Sequence, residues 1–423
     1  MPGEVRKRGS AWSLRSGLVL AHRWMGLALA GFLVVLGVSG SVLAFEDELE
    51  AWLNPDLFVV AAPPGGVPLD PLLLRERMTA ALPGACSDLL PLRAEPGRSV
   101  RMRVRPCAQA GPGQPAALGY DEVFFDPYTG ELLGVRLWGA SLWDPRTAVS
   151  FVYRLHSLLA APPWWGRLAL GIVALAWTLD CFVGLALTLP RGAAADRRAG
   201  AARNWWQRWA VAWRIKAGAS ATRLTLDLHR AGGLWLWALL LVFAWSSVMF
   251  TLRDQVYYPV MTRLLTFNEP LRGPLPPSPP PVTLGWREAL EAGRQAAREL
   301  ARRNGWQTAE EVFLVRLAAR GVYGYWLHTD LDVRDGDGAT GIIIDGQSGQ
   351  VRGLVLPRDP GAAGNAFNQW MYGLHMAQVF GLPYRLLVAA LGIAVAVLSV
   401  TGVFIWRKKR HARQVGAARR GLH

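Results

Sequence analysis

Four long apolar stretches divide the chain, and polar segments separate them. They are residues 18–45, 168–189, 234–252 and 386–406. A helix of about 20 residues crosses a hydrocarbon core of about 30 Å, so each stretch is long enough to span a membrane. The pattern predicts an integral membrane protein with a bundle of four transmembrane helices and membrane lipid around it.

Basic residues flank these stretches on one predicted side of the membrane. They are Arg6, Lys7, Arg8, Arg15, Arg191, Arg197, Arg198, Arg203, Arg208, Arg214, Lys216, Arg223, Arg407, Lys408, Lys409 and Arg410. Because Lys and Arg are retained in the cytoplasm, both termini are predicted there. The two long loops hold 27 of the 31 acidic residues and are predicted to lie outside. The net charge of +15 is then a topology signal, and no nucleic-acid partner is expected.

The chain also shows an internal repeat of a span, an outer loop and a second span. Arg167 precedes Gly184 by 17 residues, and Arg385 precedes Gly402 by the same interval. Near the end of each outer loop an Asp-x-x-x-Gly element recurs, at Asp126 and Asp345, which is typical of a turn between two strands. Helical and alternating patterns within the loops predict two extracytoplasmic α+β domains.

The pattern gives nine segments. They are a cytoplasmic N-terminus (1–16), transmembrane helix 1 (17–45), outer domain 1 (46–146), an outer-side helix with transmembrane helix 2 (147–189), a basic cytoplasmic loop with an interfacial helix (190–224), transmembrane helix 3 (225–252), outer domain 2 (253–366), an outer-side helix with transmembrane helix 4 (367–407), and a basic cytoplasmic tail (408–423). The first span is too long for a cleaved signal and is expected to be a retained anchor.

Four of the seven histidines occupy equivalent points of the repeat, at or just before the start of each span. They are His22, His156, His229 and His375. A single histidine at a membrane interface is usually an amphipathic residue among headgroups, but four matched ones are poorly explained in that way. Since alternate spans begin on opposite faces, His22 pairs with His229 on the cytoplasmic side and His156 with His375 outside.

Two imidazoles can occupy both axial positions of a haem, and helical bundles build cofactor sites from facing helices. Zinc sites usually need about four ligands, so they fit these pairs less simply. Arg23 and Arg230 are candidates for contacts with haem propionates, although extension to lipid phosphates is the more frequent role. Asp227 is a candidate acceptor for His229, and Asp180 has no evident partner. Cys86 and Cys107 share an outer loop where a disulfide is allowed.

The sequence resembles the PepSY-associated transmembrane family of iron-regulated inner-membrane proteins. The resemblance rests on the His22-Arg23-Trp24-x-Gly26-Leu27 segment, the Trp213-Arg214-Ile215-Lys216 segment, the Leu-Asp227-Leu-His229-Arg230 entry to the third span and the Asp-x-x-x-Gly elements. It implies PepSY-like outer domains. Because the family includes dihaem ferric-siderophore reductases, it also implies two b-type haems with His22, His229, His156 and His375 as axial ligands.

The expected function is transfer of electrons from a cytoplasmic donor, which the sequence does not name, to a ferric siderophore or another ferric chelate outside. One alternative is a non-enzymatic regulator or adaptor whose outer domains bind periplasmic peptides or proteases. A transporter is a further alternative, since repeats are common there. It is disfavoured because no span has a central proline and the first, third and fourth lack buried charges.

Overall fold

A computed structural model describes residues 14–107, 118–190, 204–336 and 338–420. Several basic residues of the topology argument lie outside these residues, as does His423; they are Arg6, Lys7, Arg8, Arg191, Arg197, Arg198 and Arg203. The chain forms two compact units. The helical unit comprises Met1–Ser41, Pro162–Arg253 and Val388–His423, and the α+β unit comprises Val42–Ala161 and Asp254–Leu387.

Thirteen α-helices occur in the described part of the chain. They are α1 (Leu14–Leu43), α2 (Glu46–Leu53), α3 (Pro55–Phe58), α4 (Pro71–Ala81), α5 (Ala148–Leu158), α6 (Pro163–Thr188), α7 (Trp205–Ala210), α8 (Ala221–Trp235), α9 (Trp237–Thr251), α10 (Tyr258–Met261), α11 (Trp286–Asn304), α12 (Ala363–His375) and α13 (Gly381–Arg420).

Three of these helices are long and apolar enough to cross a membrane by themselves. They are α1, α6 and the part of α13 from Gly381 to Ala418. The predicted third span is a bent pair instead, because α8 and α9 meet at an angle of 67° around Leu236. No proline lies at the break, but the adjacent glycines Gly232 and Gly233 precede it, and such pairs weaken a helix. The described residues therefore hold three such helices, or four if the bent pair is one span.

An apolar cluster in the helical unit draws its residues mainly from α1, α6, α9 and α13. Leu33 of α1, Cys181 of α6, Leu240 of α9 and Leu391 of α13 belong to it or pack against it. Gly37 and Gly392 bring α1 and α13 into direct backbone contact, since a Cβ on Gly37 would lie 2.4 Å from the Gly392 carbonyl oxygen. Small residues at such crossings are typical of packing between membrane helices.

The ends of two predicted segments differ from the structure. The basic tail predicted at 408–423 continues α13 as far as Arg420, because the sequence after Trp406 contains no proline or other strong helix breaker. The interfacial helix of the basic loop is short, since α7 ends at Ala210 and a 3₁₀ turn follows at Val211–Trp213.

Ten strands lie in the α+β unit. They are β1 (Ala85–Cys86), β2 (Leu89–Pro91), β3 (Val100–Arg103), β4 (Arg105–Pro106), β5 (Glu122–Phe125), β6 (Leu132–Arg136), β7 (Thr308–Leu317), β8 (Val322–Thr329), β9 (Thr340–Asp345) and β10 (Val351–Val355). They form an antiparallel sheet in the order β3-β5-β6, a second in the order β10-β9-β8-β7-β2 and a separate β1-β4 pair.

Each outer loop builds its own apolar core, as predicted, but the core of the second loop also includes Leu72 and Leu90 of the first. In the first, Met78 of α4 packs with Met102 and Phe125. In the second, Leu290 of α11 packs on the five-stranded sheet. Strand β2 comes from the first loop yet pairs with β7, with Leu90 opposite Leu314. The two predicted outer domains, 46–146 and 253–366, are therefore not separate, because β2 of the first loop covers the edge of β7 in the second.

The Asp-x-x-x-Gly elements are the predicted turns. The Oδ1 atom of Asp126 accepts hydrogen bonds from two following amides between β5 and β6, and Asp345 does the same between β9 and β10. Gly130 and Gly349 close these turns at φ of +72° and +73°, a region that favours glycine. Cys86 and Cys107 form the disulfide that the sequence allowed.

Candidate functional site

The helical unit brings His22 of α1 and His229 of α8 together, and we call them the first histidine pair. Their ring centres lie 6.2 Å apart and the ring planes are inclined by 58°. Both side chains line a cavity of about 650 Å³. Apolar residues such as Trp177 and Trp237 form much of its wall, so the cavity has the apolar lining and the size typical of cofactor sites.

Both rings of the first histidine pair are oriented through Nδ1. The Nδ1 atom of His22 lies 2.8 Å from Oδ1 of Asp180, and Nδ1 of His229 lies 3.0 Å from the Leu398 carbonyl and 3.1 Å from Oγ1 of Thr401. A carbonyl oxygen only accepts, so Nδ1 of His229 must carry the proton there. The Nε2 atoms are then left for a metal, because a ligating histidine generally donates its other N–H to such an acceptor.

The glycines that define the sequence repeat lie directly against these rings. A Cβ on Gly184 would be 3.5 Å from Cε1 of His22, and a Cβ on Gly402 would be 3.3 Å from Cε1 of His229. A larger side chain at either position would push the imidazole away. The two glycines therefore leave room for the rings, which the sequence alone did not indicate.

The α+β unit brings His156 of α5 and His375 of α12 together, and we call them the second histidine pair. Their ring centres lie 6.4 Å apart with planes inclined by 66°. Burial, and then the neighbouring His156, lower the pKa of His375 to about 3. The His375 ring is therefore neutral near pH 7, as metal ligation requires.

Residues other than glycine adopt left-handed conformations after both histidines of the second pair, and Gly381 continues the second turn at φ of 60°. Leu159 and Ala160 have φ of 54° and 53° after α5, and Ala377 and Phe380 have φ of 53° and 59° after α12. Residues other than glycine pay about 1–2 kcal/mol for this conformation. Such strained backbone is concentrated at functional sites in proteins generally.

The spacing of both pairs suits one metal ion between two rings. With a metal–nitrogen bond of about 2.0 Å and about 1.1 Å from each nitrogen to its ring centre, two axial imidazoles have centres about 6.2 Å apart. A direct hydrogen bond between two rings would bring the centres to about 5 Å. Packing of aromatic rings covers about 4.5–7 Å, so the Nδ1 bonds and the cavity are what favour ligation for the first pair. Within the described ranges, no three His, Cys, Asp or Glu residues cluster as a metal site.

Arg23 and Arg230, the two predicted arginines, line the same cavity but differ in their hydrogen bonds. Arg23 lines it and its Nε is buried with no hydrogen-bond partner among the described residues. Arg230 also lines it, but its guanidinium donates to Asp227 at 2.8 Å and to the Val211 carbonyl at 2.9 Å. Asp227 was predicted to accept from His229, and this is wrong, because its carboxylate accepts from Arg230 and Arg223.

Several residues at these sites were not singled out from the sequence. Thr401 contacts His229, while Lys409 and Arg413 of α13 line the cavity. The sequence signal for Lys409 was its interval of seven residues from Gly402, which places both near one face of a helix. His328 of β8 is 16% exposed, and its Nδ1 lies 2.9 Å from a carboxylate oxygen of Asp332. It belongs to neither pair.

Comparison with known families supports the resemblance found in the sequence. No curated protein matches this chain significantly. The family model described as the PepSY-associated TM region matches residues 19–409, and this range includes all four histidines of the two pairs. The chain therefore belongs to the PepSY-associated transmembrane family of membrane proteins.

Proposed function

We propose that this protein is a dihaem electron-transfer protein of the bacterial inner membrane. In this proposal it takes electrons from a cytoplasmic donor and reduces a ferric chelate, such as a ferric siderophore, in the periplasm. The first histidine pair supports the proposal most directly, because both rings are hydrogen-bonded through Nδ1 and line one apolar cavity. The ring-centre distances of 6.2 Å and 6.4 Å are compatible with one bis-histidine iron in each pair.

The first histidine pair offers the better-defined site. His22 and His229 would be the axial ligands, each oriented through its Nδ1. Both line a cavity of about 650 Å³, where the buried Arg23 Nε, with no hydrogen-bond partner among the described residues, fits the carboxylate of a propionate. Arg23, Lys409 and Arg413 would contact the propionates, instead of the Arg23 and Arg230 that the sequence suggested, since Arg230 already binds Asp227.

His156 and His375 would be the axial ligands of the second centre. The charge pattern of the sequence favours this centre on the periplasmic side, because the basic flanks would keep both termini in the cytoplasm. His22 and His229 would then serve the cytoplasmic side. A haem in each pair supplies one-electron chemistry, and the protein contributes ligation, tuning of potential and control of access.

Reduction would release iron because Fe(II) is held less strongly than Fe(III) by hard oxygen ligands. Siderophore-type chelates rely on such ligands, so a one-electron reduction suffices to make the metal exchangeable. The chelate is a substrate in this scheme and needs no permanent iron site in the protein.

A difference spectrum and a haem assay on purified protein, expressed with added haem, test the proposal. We expect a low-spin bis-histidine spectrum and two b-type haems per chain. His22→Ala and His375→Ala should each leave one haem, and the double variant should leave none. His411→Ala is the matched control, since His411 is exposed on α13 and should leave two.

A second measurement addresses the substrate. The reduced protein, mixed with a ferric hydroxamate under anaerobic conditions, should be reoxidised with formation of Fe(II). If the wild-type protein contains no haem, or keeps two haems after replacement of all four histidines, the proposal is wrong. The absence of any cofactor together with binding of periplasmic peptides would favour a regulator or adaptor.

A further inference from the structure

The two rings of the first histidine pair have acceptors of different charge. Nδ1 of His22 faces a carboxylate oxygen of Asp180 at 2.8 Å, and the Asp180 side chain is only 12% exposed. Nδ1 of His229 faces two neutral oxygens, the Leu398 carbonyl at 3.0 Å and the Thr401 hydroxyl at 3.1 Å. One ligand therefore has an anionic partner, and the other does not.

The internal repeat has two matched positions in each half, and the polar residue occupies a different one of them in each half. Asp180 lies four residues before Gly184, where the second half has Leu398 before Gly402. Val183 lies one residue before Gly184, where the second half has Thr401. Each half thus has one polar and one apolar residue at these positions, but in the opposite order. In each half, the polar residue contacts Nδ1 of the imidazole that packs against the glycine of the same half.

A carboxylate and a neutral acceptor act differently on a ligating imidazole. A charge-assisted hydrogen bond is roughly twice as strong as a neutral one. It pulls the Nδ1 proton further from the ring, and the ring then donates more electron density through Nε2 to the metal. Electron-rich axial ligation stabilises ferric over ferrous iron, which lowers the reduction potential. Burial strengthens the effect because little water screens the carboxylate.

We propose that Asp180 is a positioning residue that orients His22 and lowers the reduction potential of the centre held by the first histidine pair. The inference rests on the proposed function, because it concerns a haem between His22 and His229. It adds a residue that sets the potential of the centre in the helical unit. Asp180 thereby favours passage of electrons onward from that centre.

Redox titration of three variants, followed by visible spectroscopy, tests the proposal. Asp180→Asn keeps an acceptor but removes the charge, so it should retain two haems and raise the potential of one. The expected size is about a tenfold change in the reduction equilibrium, about 59 mV for one electron. The other haem should be unchanged, which provides an internal reference in the same sample.

The other two variants copy the second half of the repeat. Asp180→Leu removes the side-chain acceptor, and we expect weaker haem binding at the first histidine pair by 10- to 100-fold. Asp180→Leu combined with Val183→Thr recreates the Leu398 and Thr401 arrangement, so it should restore the haem but at the raised potential. A merely structural role for Asp180 would restore the haem without any shift in potential.

The outcomes separate this inference from the proposed function. Two haems with both potentials unchanged in Asp180→Asn would overturn the role of Asp180 and leave the dihaem protein intact. A shift at the haem that His375→Ala removes would also overturn it, because the affected centre would be the wrong one. The proposed function fails instead if the wild-type protein itself contains no haem, which the haem assay shows before any variant is made.

Discussion

The two histidine pairs have nearly the same ring spacing but are held by different kinds of structure. His22 and His229 lie within helices of the helical unit, and neighbouring helices supply both the Nδ1 acceptors and the glycines behind the rings. His156 and His375 lie at the ends of the short helices α5 and α12, each followed by a left-handed turn. The first pair depends on helix packing, whereas the second depends on the α+β unit that anchors two short helices. Changes that damage one support should spare the other pair.

The largest expected effect comes from Arg136, a buried residue of β6 in the α+β unit that holds the second histidine pair. Its Nε donates to Glu122 at 2.8 Å, and one terminal nitrogen donates to Glu50 at 2.9 Å and to the Arg146 carbonyl at 2.9 Å, just before α5. Arg136→Met removes the closest cation from two buried carboxylates, at a cost of about 3–5 kcal/mol. Glu122 then keeps only the longer contacts to Arg103 at 3.6 Å and Arg101 at 3.8 Å. Thermal unfolding should show the α+β unit destabilised and the second haem lost, with the first retained.

Two further variants show whether unpaired charge is the cause. Arg303→Met removes an exposed partner of Glu299 and should cost less than about 1 kcal/mol. Replacing Arg136, Glu50 and Glu122 together by apolar residues should recover most of the stability, since buried ion pairs often exchange for apolar groups at little cost. Equal damage in the single and triple variants would contradict this explanation and indicate lost packing.

A smaller effect, confined to the first pair, is expected from the glycines behind its rings. Gly402→Leu should displace His229 and cost about 1–3 kcal/mol through overpacking. Gly402→Ala should be more harmful than Gly184→Ala, because the new methyl would lie 3.3 Å from its imidazole rather than 3.5 Å. Haem stoichiometry and thermal unfolding measure both. Gly416→Ala, on the same helix with nothing within 4 Å, is the control and should not destabilise the protein.

The sequence predicted the features that depend on local pattern. The three apolar helices α1, α6 and α13 follow from unbroken hydrophobic runs, and the turns at Asp126 and Asp345 follow from the chemistry of Asp and Gly. The pairing of His22 with His229 and of His156 with His375 followed from alternation of direction between successive spans, and the ring distances agree with it.

Features that depend on contacts between distant segments were missed. Asp180 lies 158 residues from His22, and no periodicity links them. Asp227 is two residues from His229 in sequence, but residues two apart on a helix point in different directions, so it binds Arg230 and Arg223 instead. The pairing of β2 with β7 depends on which sheet edge is exposed after folding, and strand patterns do not show that.

A pH dependence should distinguish the units further. Burial raises the pKa of Glu46, at the start of α2 in the α+β unit, to about 7, against the opposing effect of Arg101. The folded state therefore holds the proton more tightly than the unfolded chain. The resulting stability is complete below pH 4.5 and is lost as pH rises through 7. Thermal unfolding at pH 5 and pH 8 should show the second pair's unit weakening, and Glu46→Gln should remove most of that difference. An unchanged difference in Glu46→Gln would assign the effect to other groups.

The smallest expected effect concerns the left-handed turn after His156. The amides of Leu159 and Ala160 bond back to the carbonyls of Leu155 and Arg154, so the turn caps α5 and fixes where that helix ends. Ala160→Gly should change stability by less than about 0.5 kcal/mol, because relief of the positive φ offsets the added freedom of the unfolded chain. Ala301→Gly, within α11, should cost about 1 kcal/mol in the same unit.

Ala160→Val should be worse than both, since a β-branched residue is strongly disfavoured at positive φ. If Ala160→Val shifts the second haem's spectrum while the first stays unchanged, the turn positions His156. A loss of stability without that spectral change would show that the turn only caps the helix.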